Sequence, residues 1–217
     1  MNGSLPRDFA ALVLCGGESR RMGRSKACLP FGRETLLERV VRQVGQAVSE
    51  TIVVAAVDQA LPTLAGAVRV VRDERPQAGP LAGLSAGLKA LGAHTAAVYV
   101  TGCDFPFVQP AFMARLRSLL RGFDCVVPCA GGIEQPLAGV YRAGIGRVVE
   151  DCLNGEKPSL RRLLERLDTQ RIDSDELRDV DPRLESLINC NTPEEYRMAL
   201  ATATVASEPP SISADRE

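Results

Sequence analysis

Residues Phe9 to Leu14 (F-A-A-L-V-L) are apolar without a break and lead directly into Cys15-Gly16-Gly17-Glu18-Ser19-Arg20-Arg21-Met22-Gly23-Arg24-Ser25-Lys26. A short, wholly apolar run bounded by glycine predicts a strand buried on both faces. Gly16 and Gly17 can take positive φ and let backbone N–H groups approach an anion closely. Arg20, Arg21, Arg24 and Lys26 place four positive charges on the same loop. An apolar strand that runs into a glycine-rich, basic loop is where an α/β fold holds phosphates. The alternative is a tight turn with a solvated basic rim.

Neither of the two common phosphate loops is present. The Walker pattern places its lysine directly after a glycine, but here Ser25 precedes Lys26. Glycines at 16, 17 and 23 do not fit G-x-G-x-x-G either.

Downstream, Leu36, Leu37, Val40, Val41, Val44 and Val48 recur at helical spacing and predict an amphipathic helix over 35–48. Ile52 to Val57 reads as a second buried strand, which completes a βαβ unit with parallel strands. Val68 to Val71 predicts a third strand ending at Arg72-Asp73. The following Gly79-Pro80-Leu81-Ala82-Gly83 reads as a second binding loop on the carboxyl edge of the sheet, or as a helix-entry turn before a helix over 84–91. Ala96 to Val100 is the fourth predicted strand, and Asp104 lies just past it, facing the same crevice as loop 16–26. A hard divalent cation carried with a triphosphate takes one or two carboxylates plus phosphate oxygens, and Asp104 is the candidate to supply one. It stands too early to cap the helix that begins near Pro110.

Further helices are predicted over 112–120 and 145–153, and from Pro158-Ser159 onward, where Leu160, Leu163, Leu164 and Leu167 share a face. Strands over 125–128 and 135–142 flank the Gly131-Gly132 turn and predict an antiparallel pair. Residues 168–186 show no apolar pattern apart from Ile172. Thr192, Pro193 and Glu195 form the signature of a capped helix start. That role leaves Asn189 and Asn191 unexplained, and their amide oxygens can point back at a metal. Residues 1–8 are expected to be flexible, 9–201 to form one domain, and 202–217, polar and proline-bearing, to be disordered.

Composition narrows the function. The net charge of −1 over 217 residues argues against a dedicated nucleic-acid binder, so the basic loop suits a small anion. No apolar run approaches the ~20 residues that span a membrane. The N-terminus has no signal-peptide core, and a cytoplasmic protein is expected. Seven cysteines form no C-x-x-C pair and are expected to be reduced and mostly buried. His94, the single histidine, excludes multi-histidine metal sites and disfavours a serine–histidine triad.

Four ordered segments carry a family resemblance. Leu14 to Lys26 resembles the L-A-G-G-x-S-x-R-M-G-x-x-K signature, with Cys15 in place of alanine. Asp73 with Gly79-Pro80-Leu81-Ala82-Gly83, then Cys103-Asp104-Phe105-Pro106-Phe107, then Asn189-Cys190-Asn191-Thr192-Pro193-Glu194-Glu195 resemble the following three. Together they resemble the molybdenum cofactor guanylyltransferase (MobA-like) family. The resemblance implies a Rossmann-like, three-layer α/β/α nucleotidyltransferase fold with a mostly parallel sheet. It implies GTP and Mg²⁺ at the carboxyl edge, molybdopterin as acceptor, and transient contacts with other cofactor-biosynthesis proteins.

Carried over by position, Leu14, Cys15, Gly16 and Gly17 would contact the nucleotide, Lys26 its phosphates and Asp73 the guanosine portion. Gly79, Pro80, Leu81 and Gly83 would lie near the base. Asp104, with Asn191, would hold Mg²⁺, and Arg21 and Lys26 would stabilise the leaving pyrophosphate. One departure concerns the base: where the family has an asparagine after the second strand, this chain has Ala55 or Ala56. The same fold acting with CTP or on a sugar or alcohol phosphate is the first alternative, and a non-catalytic nucleotide-binding protein the second.

Overall fold

The computed structural model describes residues 5–15, 25–75 and 79–207. Its central strand is β1 (Phe9–Leu14), buried along its whole length. Alternate side chains enter different cores: Phe9, Ala11, Val13 and Cys15 on one face, Ala10, Leu12 and Leu14 on the other. This is the period of two that a strand imposes, applied to a residue run apolar at every position.

The short strands β2 (Pro30–Phe31) and β3 (Glu34–Thr35) lead into α1 (Leu36–Val44). The helix starts on a full capping box, with Thr35 Oγ1 accepting from Glu38 N–H at 3.3 Å and Glu38 Oε2 accepting from Thr35 N–H at 2.7 Å. It ends at Val44, short of the predicted 48, because Gly45 stops it; Val48 is still buried, reached through a turn. Then follow β4 (Glu50–Ala56), β5 (Val68–Asp73), α2 (Pro80–Ala90), β6 (Ala97–Gly102), α3 (Pro110–Leu119), β7 (Cys125–Ala130) and β8 (Ile133–Glu134). The chain continues with β9 (Ala138–Arg142), α4 (Gly146–Leu153), α5 (Leu160–Arg166), β10 (Thr169–Asp173) and α6 (Pro193–Ser207).

The sheet runs β10-β7-β9-β6-β1-β4-β5, with β8 attached to β7. β1 is parallel to β4 and β6, β4 to β5 and β7 to β10; β9 runs antiparallel to both its neighbours. Helices α1 and α3 cover one face, and α2, α4 and α5 the other. This is the expected three-layer, mostly parallel α/β sheet. Strand order turns at β1: the chain leaves it to build β4 on one side and later places β6 on the other. In such sheets the crevice past the carboxyl ends at the turning point is where ligands bind.

Four boundaries differ from expectation. α2 begins at Pro80 rather than 84, because Gly79 takes φ +67 as its N-cap and Pro80 presets the first helical φ. β10 falls in the stretch without apolar pattern; as an edge strand it buries only Ile172 and carries Arg171, paired with Glu134 at 2.6 Å. α6 runs on to Ser207, past 201, since Ala201-Thr202-Ala203 continues a capped helix without a breaker. Within 1–8, Asp8 is tied to Arg117 at 2.6 Å and its carbonyl accepts from Ala96 and Ala97 N–H, so this residue extends the ordered sheet edge. Among the described residues no helix is long and apolar enough to cross a membrane.

Candidate active site

The backbone ladder continues one step beyond β1. Cys15 N–H donates to Val54 C=O at 2.7 Å and Cys103 N–H to Leu14 C=O at 3.0 Å, which locks three strand ends together. From this edge the β6 strand delivers Asp104. Gly102 makes room for it, for a Cβ at 102 would collide with Asp104 Oδ1. On the β1 side, a short 3₁₀ turn, Lys26–Cys28, presents Lys26. The Lys26 ammonium lies 2.6 Å from Asp104 Oδ2 and 2.9 Å from Asn191 Oδ1. The side chains of Lys26 and Asp104 are 18% and 14% exposed, so the pair is sheltered yet reachable by a ligand.

Three residues distant in sequence meet here because a separate apolar cluster staples their segments. Leu29, Phe31 and Leu36 come from the Lys26 side, Phe107 from the Asp104 loop, and Cys190 and Ala199 from the Asn191 side. Phe31 and Phe107 meet edge to face at 5.8 Å. The Arg39 guanidinium lies 5.1 Å from the Phe31 ring and 5.7 Å from the Phe107 ring, and its Nε donates to Pro106 C=O at 2.8 Å. Cys190 N–H donates to Asp104 C=O at 2.9 Å, and Tyr196 Oη to Pro30 C=O. Asn191 itself is set by the cap of α6, where Glu195 Oε2 accepts from the N–H groups of Asn191 at 2.7 Å and Thr192 at 2.9 Å. Thr192 Oγ1 returns the interaction by accepting from Glu195 N–H at 3.2 Å.

Two thiols at this edge have raised pKa values. A hydrogen bond with Cys103, then burial, pushes the Cys15 thiol well above its ordinary value. Burial, then the Asp104 carboxylate, pushes Cys190 up to about 12. Among the described residues the crevice offers a cation, a carboxylate and an amide oxygen.

The other candidates are placed as follows. Leu14 and Cys15 form the end of β1, with the Leu14 side chain in the core and its carbonyl used by Cys103. Asp73 is the last residue of β5, buried, with Oδ1 accepting from Arg75 N–H at 2.8 Å. It stands two strands from β1. Gly79 and Pro80 are the start of α2, so the second binding loop is the helix-entry turn instead. Leu81 is fully buried. Gly83 packs over the strand ends, where an added Cβ would make ordinary contact with Leu14 at 3.5 Å and Val54 at 3.8 Å, so no close approach requires a glycine. Gly16, Gly17 and Arg21 lie outside the described residues. Gln59, which carries no motif signal, is brought against Cys15 and Ser25. Arg39 also carries no motif signal, and its stacking role depends on two phenylalanines far apart in sequence.

Asp104 and Asn191 supply hard oxygen donors, converging on one point now held by Lys26, and so fit a small divalent cation. Among the described residues no group of three or more His, Cys, Asp or Glu could hold a metal alone. A cation here would complete its shell from phosphate oxygens and water, as Mg²⁺ at nucleotide sites does.

Residues 11–172 match the MobA-like NTP transferase domain family. A probable molybdenum cofactor guanylyltransferase of Carboxydothermus hydrogenoformans is 33% identical over 195 residues, 89% of this chain and 96% of that protein. Molybdopterin-guanine dinucleotide biosynthesis protein A of Archaeoglobus fulgidus superposes with TM-score 0.75 at 23% identity, over 90% of this chain and 99% of that one. Rv0371c of Mycobacterium tuberculosis, solved in complex with manganese, superposes with TM-score 0.63 at 18% identity over 90% and 98%. The crevice where the sheet turns, with lysine, aspartate and asparagine drawn to one point, therefore lies in a nucleotidyltransferase fold, and the chain belongs to the MobA-like NTP transferase family.

Proposed function

We propose that this protein transfers GMP from GTP to the terminal phosphate of molybdopterin and releases pyrophosphate. The observation that carries the reading is the convergence of Lys26, Asp104 and Asn191 past the carboxyl ends of β1 and β6, in a chain whose curated relative bears that activity in its name. An oxygen of the molybdopterin phosphate forms a bond to the α-phosphorus of GTP. The bond from that phosphorus to the bridging oxygen breaks, and pyrophosphate leaves with the electron pair.

The acceptor phosphate is already anionic, so no side-chain base is needed and one histidine suffices. The protein has to position groups and neutralise charge. Lys26 is the cation on the phosphate path; Arg21, Gly16 and Gly17, outside the described residues, are assigned to the same phosphates by the sequence signature alone. Asp104 and Asn191 would hold Mg²⁺. When bound, the ion would neutralise charge on the triphosphate and the leaving pyrophosphate. Lys26 now occupies those two oxygens, and with Mg²⁺ held there its ammonium would serve the phosphates instead. Asp73, held by the Arg75 N–H, faces the guanosine portion, with the first turn of α2 beside the base.

Ala55 is fully buried and Ala56 partly so, and neither carries a polar side chain where the family has asparagine, so base choice is the point on which a CTP-using sister activity would differ. Calorimetric titration with GTP, CTP, ATP and UTP, each with Mg²⁺, separates the two. Selective GTP binding is expected. Selective binding of CTP or UTP would keep the fold and metal site but overturn the guanylyl assignment.

A further inference from the structure

The carboxamide of Gln59 makes three hydrogen bonds, two of which fix its orientation. Nε2 donates to Cys15 C=O at 3.0 Å and to Ser25 Oγ at 3.1 Å. Oε1 accepts from Ala56 N–H at 3.3 Å. A carbonyl only accepts and a backbone N–H only donates, so the amide cannot be turned over without losing two partners. The turn that carries Gln59 is held in its own right. Arg72 donates to Ala56 C=O at 2.9 Å and to Gln59 C=O at 2.8 Å. Arg72 sits on β5 immediately before Asp73.

These contacts form a continuous chain from β5 through the turn after β4 to Ser25, the neighbour of Lys26.

We infer that Gln59 is a positioning residue for Lys26: its carboxamide pins Ser25 to the end of β1, and so sets where the ammonium stands in the crevice. The inference rests on the reading of Lys26 as a phosphate ligand. The hydrogen bond of Gln59 goes to Ser25, the residue before Lys26. Its effect on the reaction passes through the backbone that Ser25 shares with Lys26. An ammonium on a flexible stem is a point charge whose effect depends on the anchor of its backbone, which is why a bond to the preceding residue matters.

The test is a double-mutant cycle on wild type, Gln59→Met, Lys26→Ala and the double variant, read by calorimetric binding of pyrophosphate with Mg²⁺. Pyrophosphate carries no base, so a wrong nucleotide assignment leaves the titration unaffected. Methionine keeps the length of the side chain and removes both donors; Gln59→Glu, which keeps the acceptor and loses the donors, is the second probe if the first unfolds. With Lys26 present, Gln59→Met is expected to weaken binding about tenfold, the scale of one or two net hydrogen bonds. In the Lys26→Ala background the same change should cost less than about twofold. Equal losses in both backgrounds would show general damage to the loop and overturn the inference, as would no loss with Lys26 present or a wild type that does not bind pyrophosphate. A wild type that binds pyrophosphate and shows the coupling, yet transfers no GMP, would end the functional reading and leave the positioning role standing.

Discussion

At the scale of single residues, the site depends on a lysine and an aspartate that approach to 2.6 Å without being buried. Asp104→Ala should abolish turnover with Mg²⁺ as the only metal while the far-UV spectrum and melting temperature stay near wild type, because the carboxylate lies outside the apolar clusters. Turnover at the wild-type rate would refute the metal assignment. Lys26→Ala should lower kcat by about 10²–10³-fold, the size seen when a preorganised charge-stabilising donor is removed. Gly102→Ala is the finer probe. Its methyl group would displace the Asp104 carboxylate, so activity should fall well before stability does, and steady-state rates beside a thermal melt would show whether it does. Both central residues were legible in the sequence, since each follows an apolar strand at the edge where α/β sheets bind ligands. Gln59 and Arg39 were not, because their partners are a carbonyl, a hydroxyl and two rings that only the folded chain assembles.

At the scale of elements, the start of α6 positions as well as caps. Glu195 Oε2 takes the N–H groups of both Thr192 and Asn191, so the cap that begins the helix also aims the amide at Lys26. Glu195→Ala should cost about 1 kcal/mol of stability as a lost cap and should raise the Mg²⁺ concentration needed for half-maximal rate. Unchanged metal dependence would confine Glu195 to helix initiation. The seat of α2 on the sheet depends on close approach: a Cβ at Gly87 would lie 2.6 Å from Leu12 Cδ1. Gly87→Ala should therefore destabilise by about 1–3 kcal/mol through overpacking, measurable by urea unfolding. The capping boxes and the fully apolar strands could be read from spacing. The entry of α2 could not be separated from a loop, because Gly-Pro serves both, and β10 was invisible because an edge strand with one buried residue has almost no apolar pattern.

At the scale of the whole molecule, the sheet brings together in one crevice residues from opposite ends of the chain. It does so through the change of direction at β1 and through the third apolar cluster, which carries α6 back to the Asp104 loop. On the outer face, α2, α4 and the residues after β5 are joined through Glu150. Its carboxylate receives Lys89 at 2.6 Å, Arg75 at 3.3 Å and the Ser85 hydroxyl. Lys89 first, then Ser85, holds the carboxyl down at about 2. A carboxyl depressed on folding contributes stability that is fully present above its unfolded value of about 4.3 and is lost as pH falls toward the folded value. The melting temperature of Glu150→Gln should therefore lie below wild type at pH 7, with the gap closing as pH falls through that window; a gap that is constant or widens in acid would contradict the assignment.

The central claim is tested most directly by supplying the purified protein anaerobically with molybdopterin, Mg²⁺ and one nucleoside triphosphate at a time, and following pyrophosphate release together with the dinucleotide product. Release is expected with GTP only, dependent on molybdopterin and matched by molybdopterin guanine dinucleotide. Release with CTP in place of GTP, or no molybdopterin-dependent release with any of the four nucleotides, would contradict it.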